Sequence, residues 1–260
     1  MILKDLIVST NYIYINGNIL PENEAHVSPF DRGFLYGDGI FETIRAENGI
    51  PEFLAEHITR LKTSAAALGI TVPETDYGQV IGELLRNNGL ASGTARVKII
   101  ITRGIHKAIT LECSNPVTQI ITAIDQAATR IPEVIGIYPE PRTDPLSKYK
   151  SLNYLFNLIA RNWAYENGLD EAVLLGTDGE ILECSMSNIF IEREKTIFKP
   201  LNQGYYLEGI MGEHLCKEKK AQGYEITEMK IYPDNIKKTD KVLITNSMIG
   251  ICEVKIISDL

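Results

Sequence analysis

Cysteine is scarce in this chain of 260 residues, and the four that occur, Cys113, Cys184, Cys216 and Cys252, stand far apart with no C-x-x-C spacing. That pattern gives no zinc signature and no disulfide framework, and it fits a reducing, cytoplasmic compartment. Positive charge is also in deficit, since 26 lysines and arginines against 34 aspartates and glutamates leave a formal net charge of -8. Without a basic field to attract a phosphate backbone or an anionic surface, nucleic acid and membrane are not expected partners. No apolar run approaches membrane-spanning length, and Met1 to Thr10 holds Lys4 and Asp5 in an apolar stretch too short for a signal peptide. His26 and His214 fit no metal spacing, so no metal is expected. Internal repeats and low-complexity tracts are absent from the sequence as well.

What is present is a hydrophobic content of 44%, enough to bury the core of one large domain or two lobes. Asn16-Gly17 between β-prone runs marks a tight hairpin within Tyr12 to Leu20. Phe53 to Gly69 puts Leu54, Ile58, Leu61, Ala65 and Leu68 on one helical face, and Asp76 to Gly89 offers a second helix. Thr94 to Thr102 and Val117 to Ile124 have the composition of buried strands. Asp125 to Glu133 is polar and irregular, the best linker.

Beyond the linker, a strand at Val134 to Tyr138 and a Pro-rich passage lead to Lys150, from which a helix is predicted to about Asn167. Ala172 to Leu175 and Ile181 to Ile191 form a predicted hairpin around Thr177 to Glu180, with a further turn near Glu194-Lys195. A helix over Gly209 to Gln222 and strands at Glu225 to Ile231, Lys241 to Thr245 and Cys252 to Ile257 complete an α+β lobe. The expected organisation is therefore an N-terminal lobe over residues 1-124, a linker over 125-133 and a C-terminal lobe over 134-260.

Lys150, Arg60 and Glu183 are the side chains that carry possible chemistry. Lys150 and Tyr154, four apart, would bring an amine beside a phenol if the first helical turn extends back to the lysine. Read alone, a lysine at a helix start is a solvated charge, and Lys148 is an equally plain competitor. Arg60, three residues after His57, reads in isolation as a surface guanidinium. Glu183 alternates with apolar Ile181 in the strand-like ILECSMSNIF, which leaves a solvent-facing carboxylate open.

Their order and surroundings add to this. At Asp31-Arg32-Gly33 with Tyr36-Gly37-Asp38-Gly39-Ile40-Phe41-Glu42-Thr43, at His57-Ile58-Thr59-Arg60-Leu61, at Lys150-Ser151-Leu152-Asn153, at Glu183-Cys184-Ser185-Met186-Ser187-Asn188-Ile189-Phe190 and at Gly209-Ile210, the chain resembles the fold-type IV pyridoxal-phosphate enzymes. This family, also called class IV aminotransferases, includes D-amino acid transaminase, branched-chain aminotransferase and aminodeoxychorismate lyase. The resemblance spans nearly the whole chain and implies a two-lobed α+β fold, with pyridoxal 5'-phosphate between the lobes.

By that resemblance Lys150 matches the Schiff-base lysine and proton carrier, and Glu183 the carboxylate that keeps the pyridine nitrogen protonated. Tyr154 matches the tyrosine of branched-chain aminotransferase that contacts the cofactor's phenolic oxygen. Arg60 matches the phosphate arginine; Gly209, Ile210 and Met211 match a backbone cup at a helix start, with Asn246 and Ser247 as its other wall. Ser187 and Asn188 fall within the cofactor-binding motif after the carboxylate. Met211 departs from the threonine common in transaminases and is similar to the lyase there.

Substrate recognition divides the members. Tyr36, Phe41 and Thr43 correspond to pocket positions, and Arg96 to an arginine near the substrate carboxylate in branched-chain aminotransferases. After Ile101-Thr102-Arg103-Gly104 the chain reads Ile105-His106-Lys107-Ala108, without the arginine-histidine trap of D-amino acid transaminase or the loop arginine of the lyase. His106 and Lys107 stand there as substitute cations or as solvated loop residues. The resemblance implies a homodimer with amino acids and 2-oxo acids as its small-molecule substrates, acting as an aminotransferase. Two alternatives stand beside it: aminodeoxychorismate lyase, releasing pyruvate and 4-aminobenzoate, and a catalytically inactive binding relative.

Overall fold

Asn16 and Gly17 both take positive φ, at 48° and 95°. That conformation suits the two central residues of a hairpin turn, and glycine reaches it without steric cost. They join β1 (Tyr12–Ile15) to β2 (Asn18–Pro21), with Ile15 opposite Asn18. The computed structural model to which this hairpin belongs describes residues 11-112, 115-126 and 130-257. Met1 to Thr10, Cys113 and the part of the expected linker from Ala127 to Thr129 lie outside the described residues. The chain divides into a unit Met1–Ala127 and a unit Ala128–Leu260.

In the first unit the hairpin is followed by α1 (Arg32–Tyr36), β3 (Gly39–Glu47), β4 (Ile50–Pro51), α2 (Leu54–Ala67), α3 (Tyr77–Asn87), β5 (Thr94–Thr102) and β6 (Thr118–Asp125). The strands form one sheet in the order β2-β1-β6-β5-β3-β4. Strand alternation sends Ile40, Ile44, Val97, Ile99, Ile101 and Ile121 to one face, where Leu61 and Ala65 of α2 and Ile81, Leu84 and Leu85 of α3 cover them. Each such isoleucine or leucine, fully buried, contributes roughly 1.5-3 kcal/mol. The opposite face carries Phe41, Thr43, Arg45, Arg96, Lys98 and Ile100 in register.

The second unit contains β7 (Val134–Ile137), α4 (Leu155–Glu166), β8 (Glu171–Leu175), β9 (Ile181–Cys184), β10 (Asn188–Arg193), β11 (Thr196–Pro200), α5 (Ile210–Ala221), β12 (Glu225–Met229), β13 (Lys241–Asn246) and β14 (Gly250–Ile257). Its eight strands run in the order β12-β11-β10-β13-β14-β7-β8-β9. α4 packs Ala160 and Ala164 against Ala172 and Leu174, and α5 packs Leu215 against Phe190, Ile197 and Leu243. Among the described residues no helix is long and apolar enough to cross a membrane.

Two expectations are corrected. The helix expected from Lys150 begins only at Leu155, because Tyr154 N–H bonds the Leu152 carbonyl at 2.8 Å in a tight turn and Ser151 is buried ahead of it. The apolar period that seats α4 starts at Phe156, so nothing packs a helical turn further back. The expected strand Ile181 to Ile191 is broken at Ser185 to Ser187, where the Met186 amide turns onto the side chain of Glu171 and the Cys184 amide closes a turn on the Ser187 carbonyl at 2.7 Å. α1 and β11 were not anticipated.

Candidate active site

Glu183 points inward from β9 and is buried, so the solvent-facing alternative is excluded. Its Oε1 accepts from Arg142 Nη1, and Arg142 Nη2 donates to Asn157 Oδ1 at 2.8 Å. Asn157, on the first turns of α4, donates through Nδ2 to the Ser185 carbonyl at 2.7 Å, which ties the helix to the loop after Glu183. Asn188 Nδ2 stands 3.5 Å from the other carboxyl oxygen while donating to the Leu207 carbonyl at 2.7 Å. Burial pushes the Glu183 carboxyl up to about 7, opposed by the charges of Arg142 and Lys150 and by the Leu207 backbone. A buried carboxylate that needs neighbouring cations to stay ionised is suited to hold a proton on a facing base.

Lys150 lies in the same unit, its Nζ 5.9 Å from the centre of the Tyr154 ring. The amine and phenol are thus neighbours, although through the turn at the head of α4 and not through a helical i,i+4 pair. The Tyr154 hydroxyl is 3.4 Å from the Ser185 carbonyl. Burial, followed by the charges of Glu183 and Glu171, raises its pKa and keeps the phenol protonated. Lys148 is exposed and its amine sits over Tyr149 instead.

The loop between β9 and β10 is fixed from below by Glu171, a second buried carboxylate. It accepts from the Met186 amide and, at 3.0 Å, from the Ser187 hydroxyl; burial raises its pKa. Ser187 Oγ in turn accepts from Asn246 Nδ2 at 3.0 Å, while Asn246 Oδ1 takes the amides of Met248 and Ile249 at 2.8 and 3.0 Å. The turn carrying Asn246 and Ser247 is therefore coupled to the loop carrying Ser187. Gly209 is the N-cap of α5, with no side-chain cap over the amides of Ile210, Met211 and Gly212. A Cβ on Gly209 would stand 1.8 Å from Asn188 Oδ1. Facing the same first turn, the Thr245 hydroxyl is buried without a hydrogen-bond partner.

In the first unit Arg60 lies on α2 and pairs with Glu42 of β3. Phe41 and Thr43 occupy the sheet face opposite the core, and the β3-β5 register sets Thr43 against Lys98 and Arg45 against Arg96. Arg96 is exposed on that face, diagonal to Thr43. Lys98 Nζ lies 4.7 Å from the centre of the Phe41 ring, and burial and then Arg96 lower its pKa. Tyr36 ends α1 and is stacked by Arg32, whose Cζ is 5.3 Å from the ring centre. His106 Nε2 is 3.4 Å from Thr110 Oγ1, and Lys107 is exposed.

Sequence reasoning passed over Arg142, Asn157, Glu171, Thr245, Lys98 and Glu42. Arg142 had one usable signal, an arginine held between prolines ahead of Lys150. The others emerge only from strand register and tertiary pairing.

Pyridoxal 5'-phosphate requires an amine for its aldehyde, a carboxylate for its ring nitrogen and oriented donors for its phosphate. The second unit has residues of each kind: Lys150, Glu183, and the uncapped amides of α5 with the orphaned Thr245 hydroxyl. The residues fit the group.

The fold is that of solved branched-chain aminotransferases. The T.th. enzyme, solved with pyridoxamine 5'-phosphate, superposes with a TM-score of 0.82 at 26% identity, over 95% of this chain and 85% of that one. A model of the family described as amino-transferase class IV matches residues 39-257. The chain belongs to the class IV aminotransferases. A Methanocaldococcus jannaschii protein named provisionally as a branched-chain-amino-acid aminotransferase is 34% identical, over 93% of this chain and 86% of its own. The Bacillus subtilis aminodeoxychorismate lyase is 29% identical, over 92% and 84%. The chain is thus similar to an enzyme of each chemistry.

Proposed function

We propose that the protein is a pyridoxal 5'-phosphate-dependent aminotransferase that moves an amino group from an amino acid to a 2-oxo acid, with Lys150 as the residue that carries the cofactor's aldehyde. The observation that carries this reading is the buried Glu183, within the field of Lys150, in the unit where that amine neighbours a protonated phenol. When bound, the cofactor supplies a pyridinium ring that withdraws electrons from the substrate's α-carbon.

The chain's own groups have distinct tasks. Glu183 holds the proton at the ring nitrogen, and Arg142 and Asn188 fix the direction of its carboxylate. The Lys150 amine would carry a proton from and back to the substrate's α-carbon as general base and acid. The Tyr154 hydroxyl, kept protonated, donates to the phenolic oxygen. Arg60, the α5 amides from Gly209 to Met211, and the coupled pair Ser187 and Asn246 with Ser247 bind the phosphate. Tyr36, Phe41, Thr43 and Arg96 contact the amino or oxo acid, with Arg96 taking a carboxylate. A reducing, cytoplasmic setting is proposed on the wide spacing of the four cysteines in the sequence. A homodimer is part of the same proposal.

Aminodeoxychorismate lyase is the second reading, favoured by Met211 in the first turn of α5 and by the similarity to the Bacillus subtilis enzyme. Incubating cofactor-loaded protein with a panel of L- and D-amino acids and following its absorbance tests both. Conversion to the pyridoxamine form, reversed by a 2-oxo acid, is the expected result. No conversion with any amino acid, together with pyruvate release from aminodeoxychorismate, would replace the transaminase with the lyase.

A further inference from the structure

On β3 the alternation Ile40, Glu42, Ile44, Ala46 sends every second residue into the core beneath α2 and α3, and three of these four are apolar. Glu42 is the exception, a carboxylate with no exposed surface in a row of isoleucine and alanine. A charge so placed is tolerated only if it is paired and hydrogen-bonded. α2 supplies the partners from one face, His57 and Arg60, three residues apart.

The geometry is that of a clamp. Arg60 Nε donates to Glu42 Oε1 at 2.8 Å and Arg60 Nη2 to Oε2 at 2.6 Å, while His57 Nδ1 stands 2.7 Å from Oε2. Two parallel bonds from a planar fork fix the plane of the guanidinium as well as its position, which a lysine ammonium could not reproduce. The Arg60 side chain nonetheless keeps 16% of its surface exposed, whereas those of Glu42 and His57 keep 0% and 1%. The arginine alone therefore connects this buried cluster to the surface.

We propose that Glu42 is a positioning residue for anion binding by Arg60, holding the guanidinium at a set angle so that its exposed edge meets the cofactor's phosphate without reorganising, with His57 closing the clamp. This rests on the reading of Arg60 as the phosphate arginine, to which it adds the element that aims it. A pre-aimed cation loses less side-chain freedom on binding than a mobile one, so affinity for the phosphate depends on a carboxylate that never touches it.

The test is a double-mutant cycle read by equilibrium binding, using the full chain stripped of cofactor and titrated with pyridoxal 5'-phosphate and, separately, with pyridoxal. Glu42→Gln should weaken pyridoxal 5'-phosphate binding about tenfold or more and leave pyridoxal binding unchanged, because only the phosphate contact depends on the fork. Arg60→Ala should weaken pyridoxal 5'-phosphate binding at least as much, and adding Glu42→Gln to it should cost no further affinity. Independent, additive losses, or equal losses for both ligands, would show that Glu42 only supports the fold and would overturn the proposal. If Arg60→Ala leaves pyridoxal 5'-phosphate affinity intact, the assignment of Arg60 itself has failed, a different result from failure of the clamp. Should Glu42→Gln not fold, Arg60→Lys answers the same question: affinity equal to the parent's overturns the proposal, and a loss confined to the phosphorylated ligand supports it.

Discussion

A glutamate can be a surface charge or the partner of a protonated base, and for Glu183 the difference is made by Arg142. The arginine, itself buried, donates to the carboxyl and is held in turn by Asn157, so the pair belongs to a network that closes on the Ser185 carbonyl. Breaking one side of such a pair leaves an uncompensated buried charge, which costs about 3-5 kcal/mol, whereas replacing both sides costs much less. Arg142→Met should therefore destabilise the cofactor-free protein by about that amount in urea unfolding. Glu183→Gln placed on top of Arg142→Met should restore a large part of the loss. In cofactor-loaded protein Glu183→Gln alone should retain the yellow cofactor but turn over about ten- to a hundredfold more slowly, since an amide cannot hold a proton on the ring nitrogen by charge. Turnover near that of the parent would make Glu183 a structural partner of Arg142 and nothing more.

At the scale of elements, the loops are more informative than the strands. The N-cap of α5 is a glycine, Gly209, and Asn188, which donates to the Leu207 carbonyl, occupies the space a side chain would need there. Gly209→Ala brings a Cβ to 1.8 Å from Asn188 Oδ1, so either the asparagine rotates away from Glu183 or the start of α5 shifts. Overpacking of this kind costs typically about 1-3 kcal/mol. The expected outcome is a lower Tm together with weaker pyridoxal 5'-phosphate binding, measured by thermal unfolding with and without cofactor. A Tm loss with unchanged cofactor affinity would separate this helix start from the phosphate.

The same scale explains what the sequence could reveal. The hairpin at Asn16-Gly17, α2, α3 and β5 were legible because each is set by local chemistry: an Asn-Gly pair at the turn, one apolar face on each helix, an apolar run in the strand. The head of α4 was not, since the order of Lys150 to Tyr154 depends on a turn and on burial of Ser151, neither of which has a periodic signal. Glu183 and Arg60 could be singled out only by motif order. Glu42 and Glu171 could not be singled out at all, because a carboxylate's value depends on what the fold places opposite it: His57 and Arg60 in one case, the Met186 amide and Ser187 hydroxyl in the other.

For the molecule as a whole, the first unit carries apolar surface that a solitary chain would leave wet. Phe34, Ile109 and Leu111 are 74%, 85% and 70% exposed, with Phe30, Leu35 and Ile105 also open. The two segments are neighbours, since Asp31 bridges to Ile105 and Arg32 Nη1 donates to the Ala108 carbonyl at 2.9 Å. Exposed apolar side chains on neighbouring segments commonly mark an association surface, and in a homodimer with two-fold symmetry the same surface would serve both copies. In a dimer built on this surface, an aspartate placed in it would be present twice and would have to lose its water there. The chain should sediment at twice its 29.0 kDa mass, and Phe34→Asp with Ile109→Asp should sediment at 29.0 kDa, with a far-ultraviolet spectrum unchanged from the parent. Loss of the dimer should also make thermal unfolding independent of protein concentration, as mass action requires. A parent that already sediments as a monomer, or a doubly charged variant that stays dimeric, would show that this surface has another purpose.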